Sequence, residues 1–192
     1  MNIRSAILAV LALIASVALA DEVPPALHPP KGATVAIVVF EDLQCPLCRN
    51  TAPLLKQAGK TYKIPVVRYD FPLPMHNWSL EAIITAHYFD AHSKTLGADY
   101  RDYIFEHQPE INPQNLRSFS EKFAAEHKIS LPFVIDPQGK LAAEVNAERD
   151  MGNRMGIHQT PTIYIVSSKP GGKPFVEVKD RSQLYQLIDA MR

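Results

Sequence analysis

The sequence predicts an α/β domain, with a central mixed β-sheet flanked by helices and a helical segment inserted in the middle. Three observations predict it. A continuous apolar run, Val35-Ala36-Ile37-Val38-Val39-Phe40, reads as a buried strand and leads into Cys45-Pro46-Leu47-Cys48. From about residue 78 to 130 the apolar residues recur at helical spacing. A second β-rich run, Ile163-Tyr164-Ile165-Val166, then opens behind Thr160-Pro161-Thr162.

The elements follow in order. Residues 1–20 read as an export signal: Arg4 gives a positive start, Ala6 to Ala20 is apolar apart from Ser16, and Ala18-Leu19-Ala20 is a cleavage site. The run is shorter than the ~20 residues that span a bilayer. No cysteine adjoins it, so no lipid anchor is expected. Residues 21–33, rich in proline, read as a stiff extended lead-in. The domain proper is expected over 34–192, with its helical insert at about 78–130.

Thr34 to Phe40 is the first strand. Pro46 to about Lys60 is a helix, with a kink expected at Pro53. Ile64 to Phe71 is the second strand, ended by Pro72 and Pro74. Ser79 is placed as the cap of a helix carrying Leu80, Ile83, Ile84, His87 and Tyr88 on one face. Gly97 to Glu106 is the next helix. Asn112-Pro113 opens another, with Leu116, Phe119 and Phe123 inward. Asp136-Pro137 opens a fourth, with Leu141, Val145 and Met155 in phase. Pro161 to Val166 is a strand, Gly171-Gly172 a turn, Pro174 to Lys179 a short returning strand, and Ser182 to Met191 a closing amphipathic helix.

Composition narrows the function. Lys and Arg together number 20, as do Asp and Glu. That balance, without a basic cluster, argues against nucleic acid or an anionic membrane surface as partner. The chain is long enough for one domain with a real core.

The two cysteines carry the chemistry. A spacing of two residues lets the sulfurs meet across one helical turn and close a small disulfide. A cysteine at a helix N-terminus faces unpaired N–H groups and the positive end of the helix dipole, which favours the thiolate. Thiolate is the attacking species. Cys45 is therefore read as the nucleophile and Cys48 as the resolving thiol. Pro46 fits the first helical position, where its missing N–H costs little. Two blander readings compete. A zinc site using His87 and His92 needs them to converge, but five residues along a helix are ~140° apart. An inert disulfide across so small a loop gains little entropy.

These residues resemble the DsbA-like branch of the thioredoxin superfamily. The segment Phe40-Glu41-Asp42-Leu43-Gln44-Cys45-Pro46-Leu47-Cys48-Arg49 is similar to the active-site stretch of those oxidoreductases. Asp70-Phe71-Pro72-Leu73 and His76 resemble the segment leading into their helical insert. Gly156-Ile157-His158-Gln159-Thr160-Pro161-Thr162 resembles their cis-proline loop. The resemblance implies a thioredoxin fold with an inserted helical subdomain. It also implies a cis bond before Pro161, facing Cys45, and a Thr160 backbone free to pair with a substrate strand. Pro53 resembles the kinking proline of the thioredoxin active-site helix.

Two departures matter. Many relatives bury an acid six residues before the first cysteine, to take the resolving thiol's proton; here that position is Val39. Glu41 or water is left to substitute, although Glu41 reads as solvent-facing. Leu47 replaces the histidine that helps DsbA stabilise its thiolate, so Cys45 is expected to be less acidic and the protein a milder oxidant. Thr160 stands where DsbA has valine, and its hydroxyl is placed to donate to a cysteine sulfur. His87 and His127 read as satisfied boundary histidines. His158 is a candidate neighbour of the dithiol, and Trp78 and Met75 read as packing.

The sequence thus implies a monomeric, periplasmic thiol–disulfide oxidoreductase. It would need no cofactor beyond its own dithiol. It would exchange disulfides with exported proteins and be recycled by a membrane redox partner. The favoured direction is oxidation. Reduction or isomerisation is the alternative, and a dithiol module holding Cu(I) is a third reading. Residues 21–32 are too short for the dimerisation domain of the relevant isomerases.

Overall fold

In a computed structural model the structure describes residues 23–192; the leader expected at 1–20 lies outside them. Among these residues four strands form one sheet in the order β2-β1-β3-β4. They are β1 (Val35–Glu41), β2 (Val66–Asp70), β3 (Thr162–Ser167) and β4 (Phe175–Glu177). β1 runs parallel to β2 and antiparallel to β3, and β4 is antiparallel to β3. The mixed sheet expected from the sequence is present, with six α-helices around it: α1 (Pro46–Tyr62), α2 (Ser79–His92), α3 (Lys94–His107), α4 (Leu116–Glu126), α5 (Lys140–Arg154) and α6 (Leu184–Met191).

β1 is buried on both faces, which is why its apolar residues do not alternate. Val35, Ile37 and Val39 pack against Leu55 and Ala58 of α1 and Leu184 and Ile188 of α6. Ala36, Val38 and Phe40 face Phe71, Ile157 and Val166. A third cluster, centred on Phe89, Tyr100, Ile104 and Phe123, holds α2, α3 and α4 together and reaches Cys45 and Cys48. α1 continues unbroken through Pro53.

Several boundaries differ from expectation for local reasons. The lead-in is not wholly extended: Pro25–Leu27 forms a 3-10 turn that buries Ala26 and Leu27 against the sheet. Ser79 does not cap α2. Trp78 takes that position, and the Ser79 hydroxyl donates instead to Asp42 Oδ1, 2.5 Å away. Leu80 points outward, while Ala82, Ile83, Ala86 and Phe89 are buried, so the inward stripe is rotated from the predicted one. Ser93 starts α3 three residues earlier than expected by accepting from Leu96 N. α5 serves two cores: Val145 packs in the helical cluster, and Met151 packs on the sheet.

Candidate active site

The turn from β1 into α1 positions the two cysteines. Cys45 is the N-cap residue of α1, extended at φ −76°, ψ 119°, and Pro46 occupies the first helical position. Both thiols are free. Cys48 is fully buried and Cys45 nearly so, whereas Leu47 between them is 53% exposed. The Cys45 thiol donates to the Thr160 carbonyl at 3.3 Å, and Asp42 N donates to Cys48 Sγ at 3.4 Å. The Thr160–Pro161 peptide is cis.

The two sulfurs are electrically unequal. A hydrogen bond from the Cys48 thiol is the largest influence on Cys45. Burial opposes it, but the Thr160 side chain and the Cys48 and Leu47 N–H groups add to it, and Cys45 is lowered to about 5. Cys48 is driven strongly upward, first by burial, then by its bond to Cys45 and the Glu41 charge.

Glu41 does not face solvent, contrary to the sequence reading. It is the last residue of β1, 1% exposed. Period-two alternation puts it on the same face as Val35, Ile37 and Val39, two residues beyond the position where relatives bury an acid. Arg68 of β2 is its ion partner at 3.4 Å. Burial raises the Glu41 pKa above its ordinary value, and Arg68 partly offsets this.

The sequence reading also missed the residues that fix the turn. Asp42, fully buried, accepts from Gln44 N, Leu73 N and Ser79 Oγ and lies 2.7 Å from His76 Nδ1. Gln108, at the end of α3, donates to the carbonyls of Leu43 and Cys45. Neither has a sequence signal of its own: Asp42 follows another acid, Glu41, and Gln108 stands in the polar run Glu106-His107-Gln108-Pro109-Glu110.

The other candidates separate from the dithiol. His158 is exposed and lines a cleft with Phe71, Pro72 and Asn153. His127 stacks on Phe123. Met75 is 72% exposed and does not pack as expected, whereas Trp78 is buried in the cluster holding both cysteines. His87 and His92 do not pair: His87 contacts Asp70 and Glu144, and His92 contacts the Tyr88 carbonyl. Asp70, His87 and Glu148 bring metal-type ligand atoms within 4.8 Å of one another. Arg101, 2.8 Å from Asp70 Oδ2, already balances that charge, and both His87 nitrogens are engaged by carboxylates.

A family profile described as thioredoxin matches residues 30–190, and the chain belongs to the thioredoxin family. No curated protein sequence matches it. Among solved structures, Wolbachia pipientis alpha-DsbA1 aligns with a TM-score of 0.67 at 17% identity, over 85% of this chain and 88% of that one. The thiol-disulfide exchange protein alpha-DsbA2 from the same organism gives 0.65 at 21% identity, over 86% of each chain. Pseudomonas aeruginosa DsbA2 gives 0.61 at 18%, over 85% of this chain and 90% of that one. The fold is thus the DsbA-like form expected from the sequence. Among the described residues no helix is long and apolar enough to cross a membrane.

Proposed function

We propose that this protein is an exported thiol–disulfide oxidoreductase that donates disulfides to cysteine-containing periplasmic proteins. The inequality of the two thiols carries the reading: Cys45 is acidified at a helix N-cap, and Cys48 is buried behind it and hard to ionise. In the oxidised enzyme a substrate thiolate attacks Cys45 Sγ. The Cys45–Cys48 bond breaks, and Cys48 leaves and takes a proton from Glu41, the nearby buried acid. The substrate's second thiolate then attacks its own sulfur in the mixed disulfide. Cys45 departs as a thiolate held by its N-cap donors, and two electrons have passed to the enzyme. In the reverse direction Cys48 gives its proton to Glu41 and resolves the mixed disulfide. Thr160 and Pro161 supply the wall against which the substrate strand lies.

A stabilised Cys45 thiolate favours the reduced enzyme, which is the property of a disulfide donor. Turnover then needs a membrane partner to reoxidise the dithiol. The export signal read at residues 1–20 supports an exported protein. The reductase or isomerase reading uses the same steps in the opposite direction. Equilibration with glutathione buffers decides between them. A potential of about −120 to −180 mV supports donation, and one below about −230 mV supports reduction. Stoichiometric copper retained by the purified reduced protein after dialysis would instead support the Cu(I) module.

A further inference from the structure

Glu41 has a buried neighbour of like charge. Glu41 and Asp70 are register partners on the parallel strands β1 and β2, so their side chains leave the same face of the sheet. Adjacent strands lie about 4.8 Å apart. Both residues are 1% exposed. Each keeps one buried carboxylate oxygen without a hydrogen-bond donor: Glu41 Oε1 and Asp70 Oδ1.

The surroundings treat the two carboxylates differently. Asp70 Oδ2 accepts from Arg101 Nη2 of α3 at 2.8 Å and lies 3.0 Å from His87 Nε2 of α2. The other His87 nitrogen lies 3.0 Å from Glu144 of α5, so the ring sits between two carboxylates, which favour its cationic form. Asp90 shares Arg101, and Glu148 of α5 accepts from Asp70 N. Glu41 has one ion partner, Arg68, itself shared with Asp102 of α3; Arg101 acts on it more weakly, and the Glu41 charge acts on Cys48 of α1. Two carboxylates this close in a buried site do not both ionise at ordinary pH unless each is compensated. Arg101 and His87 compensate Asp70, so the repulsion falls on Glu41.

We propose that Asp70 is a positioning residue for thiol–disulfide exchange: held ionised by Arg101 and His87, its charge makes Glu41 the proton-accepting member of a buried carboxylate pair that serves Cys48. This rests on the reading above, in which Cys48 resolves and Glu41 handles its proton. An isolated Glu41 with an ordinary acidity would be a weak base for so reluctant a thiol. The Asp70 charge brings the acceptor closer to the operating pH, where general bases work best. The directions agree: Asp70 is lowered to about 2 despite burial, by Arg101 first and then His87, while Glu41 is raised by burial first and further by Asp70, against the opposing charges of Arg68 and Arg101.

The test follows the resolving step alone. Reduced enzyme and Ellman's reagent form a mixed disulfide between Cys45 and thionitrobenzoate. Cys48 then displaces the second thionitrobenzoate, closing Cys45–Cys48 as its proton passes to Glu41, and absorbance at 412 nm reports the rate. In the wild type this phase should lose rate below the pH at which Glu41 protonates. Glu41→Gln should abolish that limb. Asp70→Asn should move it down by about one pH unit. His87→Gln, which removes a cation and leaves Asp70 paired with Arg101, should move it up. A purely structural role for Asp70 and His87 would lower stability without moving the limb in opposite directions. A limb lost in Glu41→Gln but unmoved in both other variants overturns the proposal. A profile unchanged in Glu41→Gln overturns the assignment of Glu41 itself, and the role of Asp70 with it. Should Asp70→Asn fail to fold, the upward shift in His87→Gln decides alone.

Discussion

The Cys45 thiol lies 3.3 Å from the main-chain carbonyl of Thr160, a residue 115 positions further along the chain. In the dithiol form Cys45 donates its proton to that oxygen. The Thr160 hydroxyl, buried beside it, has no hydrogen-bond partner of good geometry. Once Cys45 loses its proton, the carbonyl has nothing to accept and the hydroxyl becomes a donor to the thiolate. Thr160 thus holds the thiol with one group and the thiolate with the other.

Thr160→Val should therefore raise the Cys45 pKa, since it removes one of the influences that lower it. A charge-assisted hydrogen bond contributes about 1.5 kcal/mol or somewhat more, so a rise of about one pH unit is expected. The same loss destabilises the reduced form and should lower the reduction potential by about 30 mV. Thiolate absorbance at 240 nm and a glutathione titration read the two effects. An unchanged or raised potential would mean that the hydroxyl does not reach the sulfur.

Alkylation of the reduced protein by iodoacetamide should follow a single ionisation near pH 5, the position of Cys45. Cys48 should add no second step below pH 9. Because the Cys48 thiol is the largest stabiliser of the Cys45 thiolate, Cys48→Ala should move the midpoint upward. A midpoint that stays put would assign the acidity to the helix N-terminus alone.

How far the sequence revealed this site depended on whether a residue's role was local. Cys45, Cys48 and Pro46 were legible because helix capping is set by near neighbours. The strand, turn, helix order around them was legible from periodicity. Glu41 was misread because a charge at the end of an apolar run looks like the end of the strand. Its burial depends on β2 and α3, which bring Arg68, Asp70 and Arg101 around it from far along the chain. Its phase with Ile37 and Val39 was the available clue. His87 was legible as a satisfied histidine and Asp70 as part of the lead-in to the insert, but not as partners, since their contacts join a strand and three helices. Ser79 was read as a cap from its own neighbours, while Asp42, 37 residues earlier, claims its hydroxyl.

Stability should peak on the mildly acidic side of neutrality. Glu148 is pushed up to about 7 from 4.5, first by burial and then by the Asp70 charge. The folded protein keeps a proton there that the unfolded chain releases. The resulting stabilisation is complete below about pH 4.5 and is lost as the pH rises through 7. His87, raised by its carboxylate partners against the opposing effect of burial, adds a loss of the same sign above pH 6.5. Asp70, lowered to about 2, contributes above pH 3.8 and loses that contribution as the pH falls through 2. The oxidised protein isolates these groups, because Cys45 in the dithiol adds a slope of opposite sign between pH 5 and 9. The melting temperature of the disulfide form should decline from pH 5 to 8, and Glu148→Gln should flatten the decline. A melting temperature that climbs steadily to pH 8 contradicts this account.

The contact between α5 and the sheet makes the last prediction. A Cβ on Gly152 would meet Cδ2 and Cε2 of Phe71 at 2.7 Å and Cδ1 of Phe40 at 3.4 Å. Both rings are buried and meet edge to face, with centroids 6.5 Å apart. Neither is the free end of a flexible chain, so the helix has to retreat. Gly152→Ala gains about 1 kcal/mol of helix propensity. Against that stands an overpacking cost of about 1–3 kcal/mol, and the cost should win because two ring atoms lie inside contact distance at once. The net loss, up to about 2 kcal/mol, corresponds to a melting temperature lower by up to about 8 °C in a domain of this size. Differential scanning calorimetry of the disulfide form gives the answer. An unchanged or higher melting temperature would mean that Phe71 yields, and that α5 is held by its polar contacts to Asp70 and His87 rather than by the closeness of its approach to the rings.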